Sequence, residues 1–124
     1  MDLRESAITL LSSTTVALNA DAETTIYTVP TGKTCILSHA ILVVGADAAT
    51  SDISIGADGA ETDFIPAYDL QHLDAANDAG LLMPIPAVEV LKLEAYAAGT
   101  LIKATVTNQA GGATNTLYLY GMLY

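Results

Sequence analysis

Along much of this 124-residue chain, apolar and polar positions alternate with a period of two, the signature of a strand with one buried face. Over residues 51–57, Ile53, Ile55 and Ala57 fall on one side and Asp52, Ser54 and Gly56 on the other. Over residues 100–107, Ile102, Ala104 and Val106 alternate with polar neighbours. Residues 24–29 are β-branched and aromatic, and Pro30-Thr31-Gly32-Lys33 ends that run with a fixed proline φ and a permissive glycine. A long strand is predicted over residues 34–44, closed by Gly45-Ala46-Asp47, and Asp58-Gly59 marks a tight turn. Residues 64–73 are expected to be irregular, because Pro66 and the break at residues 77–80 leave little room. A short edge strand is expected over 81–85, since Pro84 and Pro86 lack amide donors. Strands over 88–96 and 114–124 complete the pattern, with Gly111-Gly112 in the last loop. The result is an all-β chain of about seven or eight strands, an antiparallel β-sandwich, jelly-roll-like. Residues 1–15, with a Ser/Thr tract at 12–15, are expected to form an N-terminal arm, and 16–124 the single sandwich domain.

Composition qualifies that core. Hydrophobic residues make up 52% of the chain, but 21 of them are alanine, which buries little area. A core thinned in this way gains from a neighbouring subunit. Fourteen acidic against four basic residues give a net charge of −10, which repels phosphate backbones and anionic lipid. Arg4, Lys33, Lys92 and Lys103 are scattered and form no basic stripe, so neither nucleic acid nor membrane is expected as a partner. Charged residues are only 15% of the chain, low for a fully solvated surface. The one cysteine, Cys35, lies in an apolar run and reads as a core residue. The first residues lack the pattern of a secretory leader, and the longest apolar run, 40–44, is far too short to cross a bilayer. Synthesis in a reducing cytoplasm is the expectation.

Candidate chemistry is sparse. His39 and His72 are too few for a histidine metal cage. Asp52, Asp58, Glu61 and Asp63 form the densest carboxylate group, but their spacing is not that of an EF-hand, and they read as a solvated loop. With no Trp and one Phe there is no aromatic platform for sugars, and the glycine pairs lack the strand–loop–helix setting of a phosphate cradle. No catalytic residue, cofactor or metal is expected, and the chain is not expected to be an enzyme.

The last strand is more informative. Leu117, Leu119 and Leu123 share one face with Gly121, while Tyr118, Tyr120, Met122 and Tyr124 share the other. A sandwich strand ordinarily turns one face to water, yet both faces here are apolar or aromatic. Tyrosine buries area while keeping a polar tip, so Tyr118, Tyr120, Met122 and Tyr124 are predicted to form an oligomer interface. The long strand repeats this weakly, with Ile36, Leu42 and Val44 opposite Cys35, Leu37, Ile41 and Val43. In the arm, Ile8, Leu10 and Leu11 are the anchors that could order on a partner surface.

The stretch Tyr27-Thr28-Val29-Pro30-Thr31-Gly32-Lys33 followed by Thr34-Cys35-Ile36-Leu37 resembles the opening of many small virion proteins of tailed bacteriophages. The ending, from Ala98-Gly99-Thr100 to Leu119-Tyr120-Gly121, is similar to the same group, so the two stretches bracket residues 24–124. The resemblance implies a jelly-roll-like fold and a structural role, most like that of capsid decoration (cement) proteins. It further implies a homo-oligomer, commonly a trimer, that binds the major capsid protein on the outside of the phage head and carries no catalytic residues. The alternative it leaves is a neck, tail or head-fibre domain that binds a receptor or glycan.

Overall fold

A computed structural model describes residues 7–85, 88, 90–112 and 114–124. Among these residues there is no helix. Nine strands run in chain order as β1 (Thr9–Val16), β2 (Ala22–Thr28), β3 (Cys35–Val43), β4 (Asp52–Ala57), β5 (Ala60–Asp69), β6 (Ala79–Leu82), β7 (Ala95–Tyr96), β8 (Leu101–Thr107) and β9 (Asn115–Leu123). They form two antiparallel sheets packed as a β-sandwich. One has the order β1-β9-β3-β6, with β7 also paired to β3; the other has the order β2-β8-β4-β5. The pairing is nested, with β1 on β9, β2 on β8 and β4 on β5.

The alternation read from the sequence explains the core. Leu37, Leu42, Leu117 and Leu119 point inward from the first sheet and meet Ile53, Ile55, Ile65 and Ile102 from the second, all fully buried. Each such side chain contributes ~2 kcal/mol on leaving water. At one end of the sandwich, buried Asn115 replaces an apolar residue. Its Nδ2 donates to the carbonyls of Val16 (2.9 Å) and Gly112 (3.2 Å), and its Oδ1 accepts from the amide of Gly45 (3.0 Å).

Three expectations need correction. The arm expected over residues 1–15 is a strand from Thr9 onward, paired with β9 from Thr9↔Gly121 to Val16↔Asn115. A bulge between Leu10 and Ser12 sets Leu11 against the core, and the inward Thr14 hydroxyl donates to the Ile26 carbonyl of the facing sheet (3.3 Å). Thr14 is accommodated by that bond, whereas the Ser12 hydroxyl is buried without a partner among the described residues. Residues 1–6 of the expected arm lie outside the described residues. Of residues 64–73, expected to be irregular, 64–69 belong to the ten-residue strand β5 (Ala60–Asp69). Pro66 is tolerated because β5 is an edge strand. Two register shifts against β4 spoil its alternation, so that Phe64 and Ile65 are both buried. Finally, the strand expected over 88–96 is reduced to the two residues of β7; residues 88 and 90–94 pair with nothing in either sheet, and Glu89 lies outside the described residues.

Cys35 is a buried core residue, and burial pushes its thiol from the ordinary 9.0 up to about 11. Tyr96, whose hydroxyl donates to Asp63 (2.9 Å), is also raised above 10.0, first by burial and then by that bond. In both cases the folded chain keeps a proton that the unfolded chain gives up. This stability is complete below about pH 9 and is lost as pH rises through about 11. The melting temperature is therefore expected to fall between pH 9 and pH 11, and to fall less in Cys35→Ala. A flat profile in the native chain would show that neither group is held in its neutral form by the fold.

Candidate docking face

The nested pairing brings three strands from distant parts of the chain to lie side by side as β1-β9-β3, with β6 and β7 sharing the next lane. Their inward residues fill the core, so their outward residues form one continuous surface. Tyr118, Tyr120 and Met122 are half-buried on the outer side of β9, alternating with the fully buried Leu117 and Leu119. Tyr124 lies beyond the strand and is exposed; its backbone is pinned to Thr34 by two hydrogen bonds of 2.8 and 3.0 Å. The four interface residues read from the sequence therefore lie along one outward edge of one strand and its extension.

The register extends the face sideways. One row across the sheet is Leu10, Tyr120 and His39. The next is Ser13, Tyr118, Ile41 and Leu81, and the one after it is Thr15, Thr116, Val43 and Ala79. At the other end Met122 lies beside Ile36, which lies beside Ala95. Tyr120 and His39 stack with ring centroids 4.7 Å apart and planes 9° from parallel, and His39 Nδ1 lies 3.0 Å from the Ser38 hydroxyl. These rows contain no Asp, Glu, Lys or Arg, in a chain with a net charge of −10. The footprint is roughly 500 Å² at ~4.8 Å between strands and ~3.3 Å per residue.

The opposite outer face has the reverse character. Across β2 and β8 the outward residues include Glu23, Thr25, Lys103 and Thr105, while Ser54 beside them on β4 is buried. Lys103 reaches Asp58 at 3.3 Å and Glu23 at 3.6 Å, and the bond to Asp58 is the main reason its ammonium is held above the usual lysine range. Ion pairs of this exposed kind contribute little to stability, but they keep the surface wet.

Sequence alternation found the tyrosines but misplaced part of β3. A bulge between Leu37 and His39 switches the phase of the strand. Cys35 and Leu37 join Ala40, Leu42 and Val44 inside, and Ile36 joins His39, Ile41 and Val43 outside. Of the expected anchors, Ile8 and Leu10 are exposed at the margin of the face, whereas Leu11 packs against the core.

The carboxylate group does not converge. Asp52 accepts from Asn108 (2.6 Å), Asp58 pairs with Lys103, Glu61 accepts from the Gly59 amide (3.1 Å), and Asp63 accepts from the Ala57 amide (3.1 Å) and Tyr96. Among the described residues, no three of His, Cys, Asp and Glu are placed to hold a metal ion.

A second apolar surface lies beside the first. β6 and β7 both run antiparallel to β3 in the same lane, as two pieces of one edge strand. Of the residues between them, 83–85, 88 and 90–94 pair in neither sheet. Met83, Ile85, Leu91 and Leu93 are exposed, and Val88 and Val90 are fully so. Pro84, Leu91 and Leu93 line a cavity of about 90 Å³ with Leu37, Phe64 and Tyr96. A larger cavity, about 320 Å³, opens between β5 and β6 and is lined mainly by Tyr68, Leu70, Leu73, Leu82, Met83 and Pro84. The Tyr68 hydroxyl donates to the Met83 carbonyl (2.6 Å) across it.

No family model matches the chain, and no curated protein matches it. Among solved structures, a chain from the acidic stable capsid structure of the Helicobacter pylori bacteriophage KHP30 is similar, with a TM-score of 0.59. The match covers 96% of this chain and 94% of that chain at 14% sequence identity, which makes it a likeness of fold.

Proposed function

We propose that this chain is a structural protein of a tailed-phage particle, a decoration protein that binds the outside of the head and stabilises it. The observation that carries this reading is the charge-free apolar face on one side of an otherwise acidic sandwich. Such a surface is an interaction site rather than a solvated exterior. The fold shared with a phage capsid chain agrees with it. On this reading the chain is a homo-oligomer, a trimer, joined through Tyr118, Tyr120, Met122 and Tyr124. Ile8 and Leu10, at the margin of the same face, reach toward the major capsid protein. The acidic face, carrying Glu23 and Asp58, faces water and keeps particles apart by like-charge repulsion. The role is one of binding, without catalysis.

Immunogold labelling of the purified source particles tests the location. Label spread densely over the head is the expected result. Label confined to the neck or tail would overturn the decoration role and favour a receptor- or glycan-binding domain. In solution, sedimentation equilibrium at micromolar concentration is expected to give three times the chain mass of 12.8 kDa.

A further inference from the structure

We propose that the cavity between β5 and β6 binds a small aromatic molecule that carries a hydrogen-bond donor, neutral or cationic, and no negative charge. β5 and β6 are edge strands of the two sheets on the same side of the sandwich. The other side is closed, with Leu11 against the core and the Thr14 hydroxyl bonded to the Ile26 carbonyl of the facing sheet. Between β5 and β6 a space of about 320 Å³ stays open, within the ~300–1,000 Å³ usual for small-ligand sites. Its walls are apolar, and Leu70, Leu73 and Leu82 are buried in them. The walls are also fixed in place. Leu70 N donates to the Ser51 carbonyl (3.0 Å), Leu73 N donates to the Leu70 carbonyl (2.9 Å), and the Leu73 carbonyl accepts from Ala48 N (2.9 Å). A site held in this way gives up little freedom when it is filled. Gly80 of β6 lies against Leu73, and a Cβ there would fall 3.0 Å from Leu73 Cδ1. Glycine weakens a strand interior, and here it lets Leu73 sit back so that the space stays clear.

The polar groups decide what fits. The Tyr68 hydroxyl directs its hydrogen to the Met83 carbonyl (2.6 Å), so it offers lone pairs to a ligand, as does that carbonyl. Asp69 and His72 are the other ionisable residues lining the space, and no Lys or Arg is among the described lining residues. His72 is exposed, with Nε2 3.5 Å from the Gln71 amide nitrogen. A donor head therefore meets acceptors here. A cationic head is drawn in further by a chain of net charge −10, and a carboxylate or phosphate is repelled by it. The half-buried Tyr68 ring favours an aromatic body, by ring packing and by attraction to a nearby cation.

Tryptamine and indole-3-acetate test this, because they share a ring system and differ in the charge of the head. The chain has no Trp, so indole fluorescence excited beyond the tyrosine band reports the probe alone. Tryptamine is expected to bind the full chain with a Kd of ~1 mM or tighter. Indole-3-acetate is expected to bind at least about tenfold more weakly. Gly80→Val pushes Leu73 into the cavity without altering any charge, and is expected to weaken tryptamine binding at least about tenfold. Leu73→Phe fills the same space and replaces that variant if thermal melts show it unfolded. Amide NMR shifts in the native chain are expected at Leu70, Leu73, Gly80 and Leu82. Absence of tryptamine binding would overturn the proposal, as would shifts confined to other surfaces or indole-3-acetate binding as tightly as tryptamine. A general attraction of cations to an acidic surface would survive Gly80→Val, so undiminished binding in that variant overturns it too. The chain's place on the particle does not enter any of these measurements, so their outcome and that of the labelling experiment are independent.

Discussion

Asn115→Leu is expected to lower stability by ~2 kcal/mol, a sizeable share of what a domain commonly has. The substitution keeps the side chain's branching and heavy-atom count and adds apolar area, so a purely hydrophobic view predicts a neutral or stabilising change. The opposite is expected because Asn115 joins three separate backbone segments. Its removal strands the Gly45 amide without an acceptor and takes a donor from both the Val16 and Gly112 carbonyls. A buried polar group that loses its partner costs ~1–3 kcal/mol; here that applies to the buried bond to Val16, while the Gly112 carbonyl keeps the Leu18 amide (3.2 Å) and Gly45 is exposed. Asn115→Asp should be no milder at neutral pH, since a carboxylate cannot donate to the two carbonyls it would face. Urea unfolding followed by circular dichroism gives the measurement. A loss below ~1 kcal/mol for the leucine variant would mean that water or relaxation satisfies these groups.

Gly121→Ala is the second large effect, expected at ~3 kcal/mol, a fall in melting temperature of roughly 10–15 °C at this chain length. The cause is space rather than backbone conformation. A Cβ at Gly121 would lie 2.6 Å from the Ile36 carbonyl oxygen, 2.9 Å from Leu11 Cδ1 and 3.2 Å from Leu37 Cα. Leu11 can rotate away, but the Ile36 and Leu37 backbone is held in the β3 ladder next to its bulge. Differential scanning calorimetry gives the measurement. An unchanged melting temperature in the Gly121 variant would show that β3 and β9 move apart without cost.

The strands legible in the sequence are those with unbroken alternation. β4 and β8 pair with each other without a shift, and the shifts beside β4 and β9 put the extra residue in their partners, so Ile53, Ile55, Ile102, Val106, Leu117 and Leu119 alternate unbroken with polar, small or aromatic residues. In β1, β3 and β5 a bulge breaks the period. It hides β5, makes β1 read as an arm, and reverses the apparent face of Ile36 in β3. The expected strand over 88–96 has strong β propensity but little ladder to join, because β6 already fills the lane beside residues 40–43. Of the docking face, the tyrosine row was readable from one strand. The absence of charge across β1, β9 and β3 was not, since it depends on which strands become neighbours, and neighbours here, such as Thr9 and Gly121, are up to 112 residues apart.

That long-range pairing also governs how the chain comes to be folded. β9 lies between β1 and β3, so one sheet stays in two pieces until the last of the nine strands has been made. No early hairpin supplies the missing neighbour, and a topology dominated by distant contacts folds slowly, on a millisecond-to-second scale. During synthesis β1 and β3 therefore wait with unpaired backbone edges, and β3 waits with apolar residues on both sides. A species of that kind aggregates when its concentration is high. Slower, cooler expression should raise the soluble yield, and a chain shortened before β9 should give insoluble material rather than a smaller sandwich.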